Sequence, residues 1–95
     1  MSRSIHHRHY KLLLAHLREL REAAGITQAA LAQSLGRTQG HISKIECGDR
    51  RMDALQFVEI CEALGADPVA AFTRFVRARA ADSADMEQFR KPHRK

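Results

Sequence analysis

The sequence predicts an all-α fold, a five-helix bundle, and three observations carry that reading. Ala, Leu, Arg and Glu are abundant, whereas Gly and Pro are few and fall at spaced positions. Apolar residues recur at steps of three and four, as on one face of a helix. No stretch sustains the alternation of apolar and polar residues that a half-buried strand needs. At 95 residues the chain has room for one core. A chain of this size buries roughly 60–70% of its unfolded surface, enough to fold without metals or disulfides but not to enclose a large cavity.

Start and stop signals bracket each helix. The first runs from about His9, or somewhat before it, to Ala24, with Leu13, Leu17, Leu20 and Ala24 as its stripe and Gly25 as its end. The second is short, capped by Thr27, turning Leu31, Ala32 and Leu35 inward and stopping at Gly36. The third is capped by Thr38, turns Ile42 and Ile45 inward and stops at Gly48. The fourth begins at Asp53, with Gln56 at capping-box spacing, and ends at Leu64 before Gly65. The fifth has Asp67 as N-cap and Pro68 at its first position, and extends to about Ala80. Beyond Ala81 the chain is polar and contains Pro92. This divides it into a helical domain over residues 1–81 and a basic, mobile tail over residues 82–95.

The formal net charge is +5, and both ends of the chain are positive. Arg3, Arg8, Lys11, Arg18 and Arg21 face a single acid, Glu19, before residue 22, and Arg74, Arg77, Arg79, Arg90, Lys91, Arg94 and Lys95 outnumber the acids after residue 73. Such a balance suits a polyanionic partner, although many solvated helical proteins share it. Cys47 and Cys61 have no ligand spacing around them and read as unpaired thiols, which points to the cytoplasm and, with the basic charge, to the nucleoid. The apolar run from Leu12 to Ala15 is far too short to cross a membrane. His6, His7 and His9 lack a further ligand at a defined spacing and read as solvated, so neither a metal nor a cofactor is expected.

The informative stretch is residues 27–48, TQAALAQSLGRTQGHISKIECG, two short helices joined by a tight Gly-containing turn. That is the helix-turn-helix unit. With Ile42 and Ile45 inward, the helical period turns Gln39, Gly40, Ser43, Lys44 and Cys47 outward, small or polar residues with no acid among them. Glutamine pairs bidentately with adenine, lysine donates to guanine, and serine serves either base at the edge of a major groove. Thr38 and the first amides of the third helix offer an anion site. Arg37, Arg50 and Arg51 flank the motif, where they can neutralise backbone phosphates.

From Leu17 to Pro68 the chain resembles the Xre/Cro phage-repressor family, with its lambda-repressor-like DNA-binding domain. The resemblance rests on Leu-Arg-Glu-Leu-Arg before Ala-Gly-Ile-Thr-Gln, on Ala-x-x-Leu-Gly at the turn, and on Ile-Ser-Lys-Ile-Glu-x-Gly closing the third helix. Arg50-Arg51 and the later Ala-Leu-Gly continue it. It implies that Gln28 holds a phosphate, that Gln39 reads a base edge with Gly40, Ser43 and Lys44 beside it, and that Arg21 and Glu46 brace the first helix to the end of the third. Three positions depart from the family pattern. Gly40 carries no side chain at a reading position, Cys47 stands where a polar or basic residue is usual, and Met52 stands where a proline commonly precedes the fourth helix.

Leu12 and Leu14 widen the apolar face of the first helix, and Phe72, Phe75 and Val76, with Val69, stripe the fifth. This excess is read as a two-fold homodimer contact, which would set two reading helices about 34–36 Å apart on a palindromic site. The expected function is that of a double-stranded-DNA-binding transcriptional regulator. The alternative is an antitoxin-like or accessory module whose main role is to hold a partner protein. No nucleophile–base pair, carboxylate dyad or Gly-rich phosphate loop supports an enzyme. Scarce aromatics argue against stacking on single-stranded RNA.

Overall fold

The computed structural model describes residues 3–89, and side chains over residues 7–84. Five helices follow one another: α1 (Arg3–Ala23), α2 (Gln28–Leu35), α3 (Gln39–Glu46), α4 (Ala54–Ala63) and α5 (Pro68–Phe89). There is no strand among the described residues, and no helix is long and apolar enough to cross a membrane.

Local chemistry explains most of these boundaries. Thr27 Oγ1 accepts from the Ala30 N–H at 3.0 Å, and Thr38 Oγ1 accepts from the His41 N–H at 3.1 Å. Asp53 and Gln56 close a reciprocal capping box at 2.8 and 2.9 Å. Each cap satisfies an amide that the start of a helix would otherwise orphan, worth about 1 kcal/mol. Between α2 and α3 the chain turns through Gly36 at φ 67°, a left-handed conformation that a residue with a Cβ adopts only at a cost.

The core lies where α2 and α3 meet α1 and α4. Leu31, Ile42 and Cys61 are wholly enclosed, with Leu17, Ala32, Ile45, Phe57, Ile60 and Leu64 around them. Burial pushes the Cys61 thiol above its ordinary pKa, and the nearby Asp67 and Glu62 charges act the same way.

Several expectations are corrected here. The first helix buries Leu14, Leu17 and Arg21, while Leu13 and Leu20 are only half-buried and Ala24 is exposed. The inward stripe is therefore rotated from the one its leucine spacing suggests, because an arginine with a buried partner occupies one of its positions. Leu14 and Phe75 belong to the interior and are not free for a partner, and Leu12 is half-buried. Phe75 meets His16 edge-on at 6.3 Å, and Phe72 meets Phe57 edge-on at 5.6 Å, so α5 is seated along α1 and α4.

His9 is buried rather than solvated, with its Nε2 at 3.0 Å from Asp82 Oδ2. Arg8 donates to the other oxygen of the same carboxylate. The fifth helix continues well past Ala80, through Asp82 to Phe89. Two contacts from α1 hold this stretch, and no helix breaker intervenes before Pro92. The hydrogen bond from Arg8, aided by that from His9, keeps the Asp82 carboxyl below the usual carboxylate range, against a smaller opposing effect of burial. Residues 90–95 of the expected tail, and the side chain of His6, lie outside the described residues.

Candidate functional site

The outer face of α3 presents Gln39, Gly40 and Lys44 to solvent, with Ser43 half-buried beside them and Cys47 exposed at the C-terminal cap. Ile42 and Ile45, on the opposite face, are among the least exposed side chains described. Gly40 has open space around it: a Cβ there would meet only Thr38 Oγ1, at 3.9 Å. The outer surface of the helix is accordingly flat at this point.

Behind this face lies a chain of polar contacts. Arg21, on α1, donates from Nε to Glu46 Oε2 at 2.6 Å and from Nη2 to Glu46 Oε1 at 3.1 Å. Its Nη1 donates to the Ile26 carbonyl at 2.9 Å. Both side chains are about nine-tenths withdrawn from water, at 10% and 11% exposure. In such a setting a two-pronged guanidinium–carboxylate contact is directional as well as strong. Hydrogen bonding to Glu46 raises the Arg21 pKa further, against the opposing effect of burial.

Gln28, near the start of α2, donates from Nε2 to Glu46 Oε1 at 2.9 Å. Its Oε1 accepts from Gln39 Nε2 at 3.4 Å. The exposed Gln39 amide is thus tethered, through Gln28 and Glu46, to a buried arginine on α1. A glutamine amide has two N–H donors and an acceptor oxygen, so Gln39 keeps one donor and its Oε1 for an outside group. The sequence reading assigns Gln28 an outward role only and misses this inward tie, which links positions distant in the chain.

The flanking cations are spread on two sides. Arg37 lies in the α2–α3 turn, while Arg50 and Arg51 lie in the loop between α3 and α4, and all three are exposed. The Arg50 N–H donates to the Lys44 carbonyl at 3.0 Å, which closes the loop against the end of α3. Thr38 is exposed and occupied as the α3 cap. Between these cations His41 is half-buried, and burial first, then Arg50 and Arg37, lowers its pKa and favours the neutral ring.

One residue near this site has no signal in the sequence. Tyr10, on α1, places its ring under the Arg51 guanidinium at 4.4 Å from the centroid, and its hydroxyl accepts from the Met52 N–H at 3.0 Å. A proline at position 52 could not make that bond, since it has no N–H to donate. No group of His, Cys, Asp and Glu suited to a metal ion occurs among the described residues.

Comparison with known proteins gives a consistent picture. A family model for a helix-turn-helix domain matches residues 12–73, so Tyr10 lies just ahead of the matched segment. An XRE-family like protein from Pseudomonas syringae pv. tomato is similar at 42% identity and a TM-score of 0.76, over 81% of this chain and 94% of that one. Two structures of the clp gene regulator ClgR from Corynebacterium glutamicum are also similar. One has 25% identity and a TM-score of 0.70, over 84% of this chain and 85% of that one. The other has 26% identity and a TM-score of 0.65, over 74% of this chain and 91% of that one. No curated protein matches the chain.

Proposed function

The chain belongs to the helix-turn-helix domain family, and from that premise we propose that it is a sequence-specific regulator of transcription that binds double-stranded DNA as a homodimer. The observation that carries the reading is Gln39, exposed at the start of α3 and tethered from behind by Gln28 and the Arg21–Glu46 pair. A reading side chain needs free polar atoms and a restricted orientation, and this arrangement supplies both. Gln39 takes an adenine edge, while Ser43 and Lys44 lie further along the same groove-facing side. Gly40 contributes close approach rather than a contact of its own.

Gln28, Arg37, Thr38, Arg50 and Arg51 surround that face and are assigned to backbone phosphates. Such contacts fix register on the duplex and add affinity without sequence preference. The dimer contact is assigned to the exposed apolar side chains of α5, Val69, Phe72 and Val76, with Leu55 of α4. Of these, Val69 and Phe72 line an apolar groove of about 460 Å³ between the starts of α4 and α5, together with Phe57 and Val58. Knobs and groove on one face are what a self-complementary two-fold contact requires.

Selection of bound sequences from a random duplex pool, with the full chain at near-physiological salt, tests this function. The expected product is a palindrome with half-sites about one helical turn apart. Weak, salt-sensitive binding with no recovered motif would instead assign the exposed apolar face to a different protein, as in the partner-holding reading.

A further inference from the structure

We infer that Tyr10 is a positioning residue for the DNA-backbone contact of Arg51, an inference that rests on the DNA-binding reading above. Two bonds to one side chain carry it. The Arg51 guanidinium carbon lies over the Tyr10 ring, 4.4 Å from its centroid, and the Tyr10 hydroxyl accepts from the amide of the next residue, Met52, at 3.0 Å. The ring restrains the cationic head while the hydroxyl pins the loop from which that head springs.

The geometry leaves Arg51 able to act. A guanidinium carries five N–H donors, and lying over a ring leaves it donors with which to receive a phosphate. Arg51 remains exposed, whereas Tyr10 is half-buried and Met52 is buried. The scaffold is therefore on the protein side and the free donors are on the solvent side. An untethered arginine loses much side-chain freedom on meeting a phosphate, and one already held over a ring has lost part of it. The α1 end that carries Tyr10 is itself fixed, because the neighbouring Arg8 and His9 hold Asp82 of α5.

The test is the salt dependence of binding to a labelled mixed-sequence duplex, measured by anisotropy with the full chain. Each backbone contact contributes about 0.9 to the slope of log affinity against log salt. Arg51→Ala is expected to flatten the slope by about that amount. Tyr10→Leu is expected to flatten it in the same direction by up to that amount, with no further change once Arg51 is alanine. Tyr10→Phe, which keeps the ring but loses the hydroxyl's hold on the Met52 amide, is expected to fall between Tyr10→Leu and the unmodified chain. A folded Tyr10→Leu protein with the unmodified slope beside a flattened Arg51→Ala would overturn this inference and leave the DNA reading standing. Absence of salt-dependent duplex binding by the unmodified chain would sink both.

A second measurement does not depend on the folding of Tyr10→Leu. Tyr10 is the sole tyrosine and the chain has no tryptophan, so tyrosine emission reports on this site alone. Arg51→Ala is expected to make that emission more readily quenched by acrylamide. Unchanged quenching would show that Arg51 does not cover the ring, and would overturn the inference.

Discussion

The α2–α3 unit and the α1–α5 seam are built by opposite means. In the first, the caps act within three residues of the chain: Thr27 on Ala30 and Thr38 on His41. The apolar residues between them, Leu31, Ala32, Ile42 and Ile45, need only helical spacing to share a face. In the second, Asp82 is held by Arg8 and His9, and those partners are 74 and 73 positions away. The two regions also expose different chemistry. The outer face of α3 is polar and presents Gln39 and Lys44, whereas α5 leaves Val69, Phe72 and Val76 uncovered. Local caps and the buried Arg21–Glu46 brace together hold α3 and its outer face steady. A seam secured at its far end by one carboxylate leaves an apolar side open for association.

The sharpest way to break this contrast is Glu46→Ala. It strands the Arg21 guanidinium, which is 8% exposed as a residue, in a site shaped for its partner. Loss of one member of such a buried pair costs about 3–5 kcal/mol, to be read from urea denaturation. A loss below about 1 kcal/mol would place the pair among solvent-screened surface contacts. Next in size is Gln39→Ala, expected to leave the fold intact and to weaken binding to the selected sequence by about 1–3 kcal/mol, with relaxed preference at one base pair. Unchanged affinity and preference would remove Gln39 from the reading face.

Thr38→Ala comes third, at about 1 kcal/mol of stability through the lost α3 cap, readable as a lower thermal midpoint. The smallest effect belongs to the seam. Asp82 has its pKa depressed in the folded chain, so its contribution to stability is present above the unfolded carboxylate value of about 3.9 and is lost as pH falls through the lower, folded value. The midpoint difference between the unmodified chain and Asp82→Asn should therefore be present at neutral pH and shrink on acidification below about 3.9. A difference that grew on acidification would mean that another group governs the seam.

The same contrast explains what could be read in advance. Gly36, Thr38, the Asp53–Gln56 box and the Ile42–Ile45 stripe declare themselves by short spacing, and the family resemblance adds Arg21 with Glu46. The first helix is harder, because five leucines crowd two of its faces and its leucine spacing alone does not show that Arg21 shares the inward stripe. Phe75 and Leu14 look surplus to a small core, yet both fill it, since α5 lies along α1. Polar composition after Ala81 suggests a tail, but a helix needs few apolar residues where a carboxylate is gripped by two partners. Tyr10 meeting Arg51 and Met52 leaves no trace at any fixed spacing.

The two cysteines make this protein its own stability gauge. Cys47 is exposed at the end of α3, while Cys61 is wholly enclosed and burial raises its thiol pKa. An alkylating reagent should consume the first thiol promptly and wait for the molecule to open before reaching the second. When opening and closing are fast relative to alkylation, the pace of that slower reaction reports the equilibrium between closed and opened chains in plain buffer, without denaturant. Mass spectrometry would resolve the two events as successive mass additions. Any ligand that binds only the closed form would then reveal itself by how far it delays the second addition.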